Sequence, residues 1–166
     1  MVLDTEGIPD AIDWRAAGAV NPIRDQGHCG SCWSFGSVCS MEGAHFVATG
    51  ELLQFAEQQL VDCSTSYGNN GCGGGLEIWA FAYYEDWNAI ARSDYAYTAK
   101  DGTCQYDSKP HTSVQATTYD ELSGRSSSQV KAAIAKQPIS VGIYASSSAF
   151  GQYTGGIFDQ TLCLTI

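Results

Sequence analysis

Between Gln26 and Phe35 the chain reads Gln-Gly-His-Cys-Gly-Ser-Cys-Trp-Ser-Phe, and no other stretch restricts the structure so tightly. Gly27 and Gly30 interrupt it as a loop. From Cys32 onward, Phe35, Val38, Cys39 and Phe46 recur near the helical period until Thr49-Gly50. Cys32 therefore falls where a helix begins. The first-turn N–H groups there lack intrahelical partners, and the helix dipole favours negative charge. That position favours a thiolate and makes Cys32 a candidate nucleophile. Gln26 supplies an amide able to donate to an oxyanion forming beside the sulfur. Gly30 allows close approach of backbone where a side chain would collide with a ligand.

A chain of 166 residues with 44% hydrophobic and 16% charged residues is long enough for one domain with a real core, and its composition is that of a folded chain. Eight basic against eighteen acidic residues give a net charge of −10. This argues against nucleic acid or an anionic membrane as partner, since both require a basic patch, and it suits an acidic lumen. No 18-residue apolar run occurs, and Met1-Val2-Leu3 is not followed by the apolar stretch of a signal peptide.

Seven cysteines admit a disulfide framework, a zinc site or a redox Cys-x-x-Cys. Cys29 and Cys32 form one close pair, but Cys63 and Cys72 are too far apart for a second zinc knuckle, and the histidines are scattered. A thioredoxin-like motif needs a strand immediately before it, where residues 22–27 read as a loop.

Residues 57–62 read as a short second helix with Ala56 at its cap position, where about 1 kcal/mol of capping is missing. Residues 69–75 form a tight turn rich in glycine. Residues 76–84 read as a third helix with Ile78, Trp79 and Ala82 inward. Glu42, on the stripe of Phe35 and Cys39, reads as a carboxylate either solvated at a groove or, in preference, paired across an interface between lobes, and Cys39 as a small core hydrophobe. Residues 112–119 are rich in β-formers, and Ser123 to Ser128 read as a surface loop. A helix follows over about 128–136 with Ser127 as its cap. Residues 139–144 alternate as a strand, and 155–158 open another. A helical half followed by a strand half implies an α+β fold of two lobes with a cleft between them.

The run Gln26 to Phe35 resembles the papain/cathepsin L-like cysteine proteases, whose signature includes Cys-Gly-Ser-Cys-Trp. Residues 8–15, 56–63, 70–75, Tyr95-Ala96-Tyr97 and 155–158 follow in that family's order, with Gly73 where its pattern has Asn. The resemblance implies a single papain-like peptidase domain over residues 1–166. Its helical left lobe, about 10–110, would carry the nucleophile. An incomplete antiparallel β-barrel would form the right lobe, about 111–166. It implies a thiol endopeptidase acting through a Cys32 thioester, with Gln26 in the oxyanion hole and no metal or cofactor. It further implies bridges Cys29–Cys72 and Cys63–Cys104, leaving Cys32 free. Peptide or protein would be the substrate, contacted by Gly30, Gly74 and the backbone of Gly75. Leu76, Glu77 and Gly142 would surround a roomy apolar pocket for the residue two before the cut. The compartment implied is lysosomal, vacuolar or secreted.

Such chemistry also needs a histidine, oriented by Asn or Asp. In this family these follow the nucleophile by roughly 130–150 residues, at about 162–182 here, and residues 162–166 contain no histidine. His45 lies thirteen residues along the helix from Cys32, about 20 Å at 1.5 Å per residue. His111 reads as a surface residue and His28 as a loop residue beside Cys29. The expectation is therefore a chain lacking its base and inactive alone, completed by a second chain or segment, with Cys163 awaiting a partner. The alternative is a papain-fold binding or structural module that never hydrolyses anything.

Overall fold

The computed structural model describes residues 3–122, 126–143 and 145–158. Five α-helices lie among them: α1 Cys32–Thr49, α2 Glu57–Cys63, α3 Glu77–Asp86, α4 Ser127–Lys136 and α5 Ser148–Gly151. Helix α1 begins at Cys32 and stops at Gly50, whose φ of 79° is a left-handed turn that only glycine adopts without strain.

Helix α1 is buried on several sides because α2 and α3 both pack on it. Trp33, Val38 and Met41 of α1 share one core with Phe55, Leu60, Ala80, Tyr83, Tyr84 and Ala89. Its buried serines bond back to their own helix: Ser34 Oγ to Ser31 O at 2.9 Å and Ser37 Oγ to Trp33 O at 2.8 Å. These bonds allow polar residues inside a core at little cost. Helix α2 has Ala56 at its cap with no side-chain cap bond. In α3 the inward residues are Ala80, Tyr83 and Tyr84, with Trp79 37% exposed, so the expected face of Ile78, Trp79 and Ala82 is displaced by one or two positions. A helix apolar on nearly every side carries no periodic signal to choose between these faces. Helix α4 begins at Ser127, with Ser126 rather than Ser127 in the cap position.

Glu42 is paired within the helical lobe, not across lobes. Arg24 Nη2 donates to its carboxylate at 2.9 and 3.1 Å, Asn21 Nδ2 at 2.9 Å, and the Phe55 N–H at 2.8 Å. Arg24 Nη1 also reaches Glu57 at 2.7 Å, and Arg92 Nε binds the other Glu57 oxygen at 3.1 Å. Burial pushes the Glu42 carboxyl above its usual range, outweighing the Asn21, Phe55 and Arg24 contacts that pull it down.

No strands form among the described residues, where the β-formers at 112–119, the alternation at 139–144 and the opening at 155–158 had implied them. Alternation defines a face, but a strand exists only through a paired neighbour. Residues 112–116 exchange backbone bonds with 84–89 without becoming a ladder: Ala89 N–H donates to Val114 O at 2.8 Å and Ala116 N–H to Tyr84 O at 2.9 Å. Residues 138–140 lie across α1 at its small residues. A Cβ on Gly43 would meet the Pro138 ring at 2.5 Å, and one on Gly36 would collide with the Ser140 hydroxyl. Beyond that contact Val141 and Ile143 are exposed. Gly155 and Gly156 take positive φ, which ends extended structure there. Tyr144, Ser123 to Arg125 and Cys163 lie outside the described residues.

The N-terminal arm ties the two halves of the chain. Leu3 exchanges two hydrogen bonds with the Gln129 amide, at 2.7 and 2.8 Å, and Trp14 Nε1 donates to Ile134 O at 2.7 Å.

Candidate active site

Cys32 is exposed, unbridged, and the first residue of α1. Ser31 precedes it in the cap position, yet makes no side-chain cap bond. Its carbonyl takes the Ser34 and Phe35 amides at 2.8 and 3.3 Å instead. Gln26 lies one loop away, and its Nε2 donates to Cys29 O at 2.7 Å. A primary amide carries two N–H donors, so this bond fixes the group while using only one.

The loop is held from the far side by the second glycine-rich turn. Cys29 is bonded to Cys72, with Cα atoms 4.6 Å apart, and the Gly30 N–H donates to Cys72 O at 2.9 Å. A Cβ on Gly30 would meet that oxygen at 2.6 Å, so the residue there answers to the protein's own backbone. Asp101 Oδ1 accepts from the Cys72 N–H at 2.7 Å and fills the place a Gly71 side chain would need. Gly75 lies against the Trp33 indole, where a Cβ would come within 2.7 Å of the ring. Gly74 before it takes a φ of 115°. The Asn69 Oδ1 accepts from the Leu76 N–H at 2.9 Å. The turn carrying Gly74 and Gly75 is thus packed on the residue that follows the thiol. The second bridge, Cys63–Cys104, closes further along the same lobe.

Leu76, Glu77 and Gly142 share the lining of one cavity of about 840 Å³, between α1, α3 and residues 137–142. Leu76 is exposed, and nothing stands within 4 Å of where a Gly142 Cβ would be. Cys32, Gln26, Gly30, Gly74 and Gly75 are not among its lining residues. His45 also lines it, with its Nε2 buried and without a hydrogen-bond partner among the described residues. His111 stacks on Tyr106 with ring centres 3.9 Å apart and bonds Tyr106 O at 2.8 Å, so it is fixed to the lobe surface. His28 is exposed beside Cys29. Among the described residues no group of three His, Cys, Asp or Glu side chains gathers as a metal site would require.

Three supporting residues escaped sequence reasoning. Asn69 reads only as part of the 69–75 turn, and Asp101 receives no reading. Tyr97 stood in a motif without a role, yet its hydroxyl bonds both Gln26 O and Ser31 Oγ.

The chain matches the family described as papain family cysteine protease over residues 8–166. It is 47% identical over 158 residues to a probable cysteine protease RD21C of Arabidopsis thaliana, covering 94% of this chain and 35% of that protein. To a cathepsin L-like peptidase of Aedes aegypti it is 42% identical over 157 residues, covering 94% and 46%. The chain thus spans between a third and a half of these curated relatives. Among solved structures it resembles the Carica candamarcensis cysteine protease CMS1MS2 in complex with E-64, with a TM-score of 0.86 and 36% identity over 93% of this chain and 71% of that one. The bromelain protease from Ananas comosus in complex with the E64 inhibitor gives a TM-score of 0.82 at 34% identity, over 91% and 68%.

Proposed function

The chain belongs to the papain family of cysteine proteases, and from that premise we propose that residues 1–166 form the nucleophile-bearing part of a thiol endopeptidase. The observation that carries this reading is an exposed, unbridged Cys32 on the first turn of α1, with the Gln26 amide fixed beside its loop. The Cys32 sulfur attacks the peptide carbonyl carbon, and the oxygen takes the negative charge. The Gln26 N–H left free by Cys29 and the helix-start amides stabilise it. The C–N bond then breaks, leaving a thioester, and the departing amine requires a proton.

We read none of the three histidines as the source of that proton. His45 is far along α1 and His111 is fixed to Tyr106, while His28 shares the nucleophile's own loop beyond the disulfide. We therefore assign the base and its orienting residue to a segment or chain beyond these residues, which would also complete the lobe over about 111–166. Gly30 and Gly74 shape the cleft, and Gly75 offers backbone to an extended peptide. The cavity of Leu76, Glu77 and Gly142 takes an apolar side chain, with Glu77 attracting a basic end. Two disulfides together with the papain-family relatives support a lysosomal, vacuolar or secreted setting. No described helix is long and apolar enough to cross a membrane.

The test is a pH profile of iodoacetamide labelling beside hydrolysis of a fluorogenic dipeptide, with a Cys32→Ala control. No turnover is expected at any pH, while iodoacetamide should label the exposed Cys32 ahead of the half-buried Cys39. Turnover lost in Cys32→Ala, with fast labelling at low pH, would place a base within these residues. Labelling of Cys32 no faster than of Cys39 would remove the nucleophile reading.

A further inference from the structure

We infer that Tyr97 is the positioning residue for the oxyanion side of Cys32: its hydroxyl holds the Gln26 backbone and draws the Ser31 hydroxyl away from the helix cap. This rests on the reading of Cys32 and Gln26 as the reacting pair. The Tyr97 hydroxyl lies 2.7 Å from Gln26 O and 2.6 Å from Ser31 Oγ. A carbonyl can only accept, so the single phenolic proton goes to Gln26, and Ser31 donates its own proton to the Tyr97 oxygen.

That arrangement has two consequences. A serine in the cap position ordinarily turns its oxygen onto a first-turn amide, neutralising part of the helix-start field. Here the Ser31 hydroxyl is engaged elsewhere and makes no cap bond, so it does not compete with an oxyanion for the amides of the turn that carries Cys32. Gln26 is meanwhile fixed twice, by Tyr97 through its carbonyl and by Cys29 O through its side chain.

The clamp is itself anchored. The Tyr97 ring meets Phe35 edge-on, centres 4.9 Å apart and planes at 84°. The next residue is tied to α2, because Thr98 N–H and Oγ1 both donate to the buried Gln58 Oε1, at 2.8 and 3.1 Å. Ala99 then takes a φ of 55°, a left-handed conformation that costs a non-glycine residue energy. A turn held in that form by hydrogen bonds to a core helix is a stiff mount for the hydroxyl.

Two reactions of the same sulfur separate positioning from mere folding. Alkylation by iodoacetamide displaces iodide and develops no oxyanion. Acylation by p-nitrophenyl acetate forms a C–S bond through an oxyanion, then breaks the ester C–O bond and releases p-nitrophenolate with a thioester on Cys32. Single-turnover rates of both are measured at pH 8 on the oxidised chain, with the modified residue confirmed by peptide mapping. Their ratio cancels the thiolate fraction. Tyr97→Phe keeps the ring and is expected to lower acylation about tenfold while alkylation changes less than twofold. Ser31→Ala leaves the Tyr97–Gln26 bond and introduces no cap competitor, but it removes the donor that steadies the Tyr97 hydroxyl. It should therefore lower acylation by about threefold through the loosened clamp alone, and it decides the matter if Tyr97→Phe does not fold. An unchanged ratio in the folded variants overturns the inference. If Gln26→Ala also leaves the ratio unchanged, the oxyanion reading fails with it; if Gln26→Ala alone lowers the ratio, only the role of Tyr97 fails.

Discussion

Replacing Arg24 by Met tests what holds the loop before Cys32 to the core. The Arg24 side chain is 10% exposed, and the Glu42 and Glu57 side chains it joins are 2% and 0% exposed, so solvent cannot substitute for the lost cation. Glu42 would keep only the Asn21 and Phe55 donors, and Glu57 only Arg92, whose side chain is 35% exposed. Breaking a buried pair from one side costs about 3–5 kcal/mol, because a charge is left without its counterion. The loss should depend on pH, with a definite sign. Burial already raises the folded-state Glu42 value above its usual range. Its contribution to stability is therefore full below the unfolded value and declines as pH rises through the folded one. Without Arg24 the folded value climbs further and the decline continues to higher pH, by at most about 1.4 kcal/mol per pH unit. Urea unfolding followed by tryptophan fluorescence, with disulfides intact and Cys32 alkylated, should show a loss of about 3–5 kcal/mol at pH 7. At pH 5 the loss should be smaller by at least about 1 kcal/mol. Equal losses at the two pH values, or less than about 1 kcal/mol at pH 7, would refute the argument.

Gly75→Ala drives a Cβ to within 2.7 Å of the Trp33 indole and should cost about 1–3 kcal/mol. Gly74→Ala meets open space and should cost only the strain of a φ of 115° with a ψ of 173°, a region populated essentially by glycine, about 1–3 kcal/mol. In thermal melts, an unchanged midpoint for either variant would contradict the reasoning for it. The Tyr84 hydroxyl is buried without a partner among the described residues, so Tyr84→Phe should raise stability by about 1 kcal/mol in urea unfolding, and a loss would reveal a partner.

The start of α1 was legible because its signals are local: two glycines, a periodic apolar row and a terminal glycine all lie within 25 residues of Gln26. Gln26 and Cys32, the groups of the proposed site, were singled out for the same reason, standing in one loop. Their supports were not. Tyr97 bonds Ser31 across 66 positions and Asp101 bonds Cys72 across 29, and neither a phenol nor a carboxylate in a turn announces its distant acceptor or donor. The expected strands find no pairing among the described residues on the same ground, since the alternation of Ile139, Val141 and Ile143 states which side is apolar and nothing about what pairs with it.

Gly36, Ser40 and Gly43 show how the two kinds of information meet. Read along the sequence, each glycine inside α1 is a weakness of about 1 kcal/mol relative to alanine. In the fold they lie under Pro138 and Ser140, and Ser40 Oγ donates to Pro138 O at 3.1 Å. A larger residue at Gly36 or Gly43 would push the 138–140 segment off the helix. That segment carries Gly142 to the cavity shared with Leu76 and Glu77. The helix thus gives up intrinsic propensity so that a second segment can approach the element bearing Cys32. The width of the proposed pocket follows from that approach, through residues that touch no substrate.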